Sequence, residues 1–180
     1  MVTPLYFTHG KLIASSNNVR VFKFQDMYYL EIGEGHTLWA ISDEIEEYKE
    51  QIANKPYGNC LEIGLGLGVA SKYILSRPIK SLTTIEKNKD VINVFEQLNP
   101  IKDKKHTILN EDGLYFLQIA REKYDFIFLD FYDVIDEDTL PYIKYAVVLS
   151  KALLTEGGNL VGWFDPFTPD DLAEQFWRLF

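Results

Sequence analysis

The sequence lacks the features that would place it in several functional classes. A single cysteine, Cys60, excludes an internal disulfide, and its position in an apolar run reads as inert packing in a reducing compartment. No apolar stretch reaches the roughly 18 residues of a membrane span, and no basic segment leads into an apolar run at the N-terminus. Both absences point to the cytoplasm and to no membrane partner. His9, His36 and His106 are isolated, without a second His or Cys at metal-ligand spacing, so no metal is expected. Lys and Arg total 18 against 27 Asp and Glu, a net charge of -9, and the basic residues are scattered, which argues against a nucleic-acid partner. Internal repeats, low-complexity tracts and charged tails are absent as well.

What is present suits one α/β unit. A chain of 180 residues that is 47% hydrophobic can bury a core but is short for two ordinary domains. Val19–Phe24 and Met27–Ile32 are rich in β-formers around a Gln25-Asp26 turn, which predicts an antiparallel hairpin, with His36–Ile41 as a further strand. Residues 1–41 thus read as an N-terminal β-hairpin extension and residues 42–180 as the main body. Ser42 caps a helix that carries Asp43 and Glu44 in its first turn and runs to about Asn54. From Asn59 onward, short apolar runs alternate with segments of helical period, the pattern of β-α units around a mainly parallel sheet. The expected strands are Cys60–Ile63, Ser81–Ile85, His106–Leu109, Phe126–Leu129 and Asn159–Phe164. Expected helices cover Val69–Ser76, Lys89–Leu98, Leu114–Arg121 and Thr139–Leu154, with Gly157-Gly158 as a stop before the last strand and a final helix after Asp170.

Between the first strand and its helix stands Glu62-Ile63-Gly64-Leu65-Gly66-Leu67-Gly68. Glycines there let the backbone turn sharply and approach a ligand at a helix N-terminus. The dinucleotide fingerprint needs glycine at its sixth position, which is Val69 here, so NAD is disfavoured. The acid-x-Gly-x-Gly-x-Gly arrangement resembles the first motif of class I transferases dependent on S-adenosylmethionine (SAM), with a Rossmann-like fold. Glu86, 22 residues beyond Gly64, ends the second strand, where a carboxylate can accept both ribose hydroxyls. Asp112-Gly113 ends the third strand, where the resemblance implies an acid beside the adenine amino group. It also implies cofactor contacts from Glu62, Gly64, Gly66 and Gly68. The family's antiparallel pair after the fifth strand has no counterpart in the 16 residues after Phe164. Either the fold is truncated or a partner covers the exposed edge of the fifth strand, for which a homo-oligomer is one expectation.

The fourth strand ends Leu129-Asp130-Phe131-Tyr132-Asp133, where Asp130 can orient an amine and take its proton, with Tyr132 or Asp133 as a second contact. Asp130-Phe131-Tyr132 resembles the Asp-Thr-Tyr segment of guanidinoacetate N-methyltransferase. That family implies a further acid on the helix before the turn, Glu44 or Glu47. Spermidine synthases are similar through Glu34-Gly35, Asp43-Glu44, Tyr48, Asp130 and Asp133, although their glutamine is Leu38 here and no proline follows Asp133. A looser resemblance to catechol O-methyltransferases lies in Tyr124–Asp130 and Leu153–Gly158. Three functions follow from these resemblances: methyl transfer from SAM to a small cationic amine, aminopropyl transfer from decarboxylated SAM, or a non-catalytic binding protein on the same fold.

Overall fold

The computed structural model describes residues 8–33, 37–42, 45–100 and 103–180. Glu34, Gly35, His36, Asp43 and Glu44 lie outside the described residues.

The N-terminal segment is a four-stranded antiparallel sheet, β1 (Lys11–Ser16), β2 (Val19–Phe24), β3 (Met27–Ile32) and β4 (Thr37–Ile41), ordered as in the chain. The expected hairpin is therefore its middle, Phe24 pairing with Met27 across the Gln25-Asp26 turn. The β1–β2 and β2–β3 connections are two-residue turns in which Asn17 (φ 46°) and Gln25 (φ 55°) adopt positive φ. Strand β1 was not expected because Lys11-Leu-Ile-Ala-Ser-Ser buries Ala14 alone and shows no clear alternation.

Five strands form the second sheet: β5 (Gly58–Ile63), β6 (Ile79–Glu86), β7 (His106–Asn110), β8 (Tyr124–Leu129) and β9 (Leu154–Gly162). They are wholly parallel in the order β7-β6-β5-β8-β9. Six helices accompany them among the described elements: α1 (Ile45–Ile52), α2 (Val69–Leu75), α3 (Lys89–Leu98), α4 (Gly113–Ile119), α5 (Leu140–Leu153) and α6 (Asp170–Trp177). Alternation along the strands sorts the core. Cys60, Leu82, Phe126 and Phe128 pack with Tyr48 and Ile52 of α1 and Ala70 and Ile74 of α2. Leu61, Ile63, Ile127 and Leu129 pack on the other face with Leu117 of α4 and Ile143 and Val147 of α5. Val91, Ile92 and Val94 of α3 join Val19, Val21 and Leu30, so this helix seats the N-terminal sheet on the body. Ser16 and Asn17 fasten that seat by donating to Asp90 Oδ1 at 2.6 and 2.9 Å.

Gly157-Gly158 does not precede the last strand but lies within it. Strand β9 starts at Leu154, opposite Tyr124, yet Phe126 pairs with Asn159, so the extra residues bulge out around Gly157 (φ 76°).

Candidate functional site

Parallel pairing in register brings the strand ends to one edge. Ile63 pairs with both Ile85 and Leu129, and Glu86 with Asn110, so the residues after β5, β6, β7 and β8 emerge side by side. A cavity of about 490 Å³ opens there, lined by Gly64–Leu67, Glu86, Asp112, Gly113, Asp130, Tyr132 and Asp133 among others. Its size suits a nucleoside-sized ligand.

The turn is tightly determined. Gly64 (φ 102°) donates its N–H to Ile85 O at 2.8 Å, and a Cβ on it would sit 1.8 Å from the Asp130 carbonyl oxygen. Only glycine allows β5 and β8 to converge this closely. Gly66 (φ 50°) lines the cavity, whereas Gly68 (φ 70°) lies against the Phe95 ring and is absent from the lining.

Glu86 braces the turn from β6. Its Oε2 accepts from Leu65 N at 3.1 Å and its Oε1 from Asn88 N at 2.8 Å, which leaves a lone-pair site on each oxygen unused by these bonds. Asp112 caps α4, Oδ1 accepting from Tyr115 N at 2.9 Å, and Gly113 brings that helix close to Ile63.

Glu62 is not in the lining. It is fully buried beneath the turn, where Oε2 accepts from Ser71 Oγ at 2.5 Å and Thr84 Oγ1 at 2.6 Å. Burial, together with the nearby Asp130 and Glu86 charges, pushes its carboxyl up to about 8 against the two hydroxyl donors.

Asp130 sits where the main cavity meets a smaller one of about 190 Å³, lined by Leu38, Trp39, Tyr48, Tyr132, Asp133 and Trp163 among others. Burial pushes its carboxyl up to about 7, opposed by the hydrogen bond that Tyr48 donates to Oδ2 at 2.8 Å and reinforced by Glu86. Tyr48 comes from α1, its ring held edge-on to Phe128. The Tyr132 hydroxyl donates to Trp163 O at 2.6 Å, so its ring walls both cavities while its hydroxyl is committed. Asp133 is exposed at the rim.

The site thus gathers Gly64, Gly66, Glu86, Asp112, Gly113, Asp130, Tyr132 and Asp133, and leaves Glu62 and Gly68 behind the wall. Glu47 is exposed on α1 and is not in the lining; its neighbour Tyr48 is what that helix delivers. The helical period signalled Tyr48, because Tyr48 and Ile52 form the buried i, i+4 pair of α1. The N-terminal sheet adds Leu30, Ile32, Trp39 and Ala40 to the wall, a contribution with no local sequence signal. Among the described residues, no group of three or more His, Cys, Asp or Glu could hold a metal, and no helix is long and apolar enough to cross a membrane.

The sequence profile of guanidinoacetate N-methyltransferase matches residues 45–163. A polyamine aminopropyltransferase of Korarchaeum cryptofilum is 28% identical over 107 residues, covering 56% of this chain and 33% of that protein. Another, of Saccharolobus islandicus, is 27% identical over 116 residues, covering 59% and 38%. The match thus spans little more than a third of the length of these curated relatives. Spermidine synthase from Thermotoga maritima superposes with a TM-score of 0.71 at 14% identity, covering 95% of this chain and 62% of that one. Human methyltransferase-like protein 13, solved with SAH, gives a TM-score of 0.57 at 20% identity, covering 74% and 71%. Both share the Rossmann-like fold.

Proposed function

The chain belongs to the guanidinoacetate N-methyltransferase family, within the class I SAM-dependent methyltransferase and spermidine synthase-like superfamily, and from that membership we propose that it methylates a small amine-bearing acceptor using SAM. The observation that carries the reading is the junction at Asp130, a carboxyl held by Tyr48 between a nucleoside-sized cavity and a smaller one. A sulfonium nucleoside fits the larger cavity. The turn at Gly64 has no room for a side chain, Glu86 keeps lone pairs for ribose hydroxyls, and Asp112 lies toward β7 for the base. The nucleoside, when bound, supplies the electrophilic carbon. Asp130 draws the cationic amine from the smaller cavity and accepts its proton, and Tyr48 steadies the ionised carboxylate. Tyr132 and Asp133 shape the acceptor's approach. Glu62 and Gly68 support the cofactor from behind the turn, without touching it.

A second reading is aminopropyl transfer from decarboxylated SAM. Two observations favour it. The lining holds Glu86, Asp112, Asp130 and Asp133 but, among the described residues, only Lys87 as a cation, a poor seat for a cofactor carboxylate. A superposition that covers 95% of the chain on the Thermotoga maritima spermidine synthase must also take in most of the N-terminal sheet that walls the cavity. Incubation with each cofactor and a panel of guanidino, monoamine and polyamine acceptors, followed by product mass, separates the readings. A methylated product is expected. An aminopropylated one establishes the second reading, and cofactor binding without any product identifies a binding protein. Domain limits at residue 41, a cytoplasmic setting and a homo-oligomer covering the β9 edge belong to the same proposal.

A further inference from the structure

We infer that Glu62 is a positioning residue that favours a cationic ligand through the wall of the glycine turn, gaining negative charge as the cavity gains positive charge. The inference rests on the cavity being a seat for a sulfonium nucleoside.

Glu62 is fully buried two residues before Gly64, on the same face of the sheet as Glu86 and Asp130 but outside the cavity lining. Its surroundings are nevertheless built around it. Ser71 of α2 and Thr84 of β6 both donate to Oε2. Because the Thr84 hydroxyl donates to Glu62, its oxygen accepts from His106 Nε2 of β7 at 2.8 Å, which fixes that imidazole's protonated nitrogen. A glutamine oxygen could accept both hydroxyls without the cost of burying an acid, so the hydrogen bonds alone do not explain a carboxyl here.

The groups acting on it explain more. Glu86 from β6 and Asp130 from β8 act on it with like charge, and Cys60 on its own strand and His106 beyond Thr84 are the other titratable neighbours. Burial lowers the His106 pKa, leaving the imidazole neutral. The Glu62 carboxyl is held up to about 8 and is mostly protonated at neutral pH. Glu86 and Asp130 both line the cavity. A sulfonium beside them offsets the like charges that oppose ionisation of Glu62. By linkage, the ionised Glu62 strengthens binding of that cation by the same factor.

The test is calorimetric binding of SAM and of its neutral-sulfur product SAH to the wild-type protein and Glu62→Gln across pH. Since Gln imitates the protonated acid, the two proteins should bind SAM alike at about pH 6.5. Wild type should bind it roughly fivefold or more tightly at about pH 9, with a smaller gain for SAH. A ratio that stays flat with pH, or rises equally for both ligands, overturns the inference. Infrared spectroscopy of Asp130→Asn provides a check that leaves Glu62 in place: a protonated-carboxyl band should persist near neutral pH and weaken on SAM binding. Loss of the band in that variant, or indifference to SAM, also overturns it. Failure of wild type to bind SAM, SAH or decarboxylated SAM is a different result, which removes the cavity assignment and the inference with it.

Discussion

The Tyr48–Asp130 pair is where chemistry meets the fold. A hydrogen bond to an ionised carboxylate lowers its pKa, so removing it should raise the Asp130 value above about 7. Asp130 accepts a proton only when ionised, so the rate should rise with pH through about 7 in the wild type. In Tyr48→Phe that limb should move to higher pH by roughly half a unit to one unit, read from kcat/KM profiles. Asp130→Asn should lower kcat by about 10²- to 10³-fold. Asp130 was legible in the sequence because a carboxylate at the end of a buried apolar run stands out. The hydrogen bond to Tyr48 was not, since its partners lie 82 residues apart and meet only through the packing of α1 against β8. Glu62 shows the converse. Its place in the motif implies a ligand contact, but its carboxyl is buried beneath the turn, held by Ser71 and Thr84, and is absent from the cavity lining.

At the scale of elements, the strand-turn-helix junctions set the site, and glycine sets the junctions. Gly64→Ala forces a Cβ into the Asp130 carbonyl at a positive φ, and should cost several kcal/mol in thermal unfolding as well as abolish cofactor binding. The N-terminal sheet is held to α3 by polar contacts to Asp90. Asp90→Ala should be seen as faster amide exchange in β1 and β2. The β-α alternation, and all five parallel strands, could be read from apolar runs bounded by turn residues. The bulge in β9 could not, because Gly157-Gly158 carries the same local signal whether it stops a strand or bends one. Strand β1 gave little signal because its partners, β2 and α3, rather than its own composition, make it a strand.

Across the whole molecule, the site carries an electrostatic cost that its ligand offsets. Glu62 and Asp130 both hold folded pKa values above their unfolded ones, so the folded protein binds more protons than the unfolded chain between about pH 4 and 8. Stability without ligand should therefore fall as pH rises through that window, by an amount on the order of a few kcal/mol, and Glu62→Gln should flatten the fall. Asp90, Asp125 and Asp136, whose pKa values are lowered, act in the opposite sense but titrate below it. Chemical denaturation at several pH values measures the slope. The -9 net charge and the acidic lining agree in sign with a cationic ligand.

The central claim, that the edge formed by Gly64, Glu86 and Asp112 seats a sulfonium nucleoside, is tested most directly by calorimetric titration of SAM and decarboxylated SAM into the wild-type protein and Glu86→Ala. One of the two nucleosides should bind the wild type with a stoichiometry near one, and Glu86→Ala should weaken it at least about tenfold while remaining folded. Equal affinity in the two proteins, or no binding of either nucleoside to the wild type, would contradict the account.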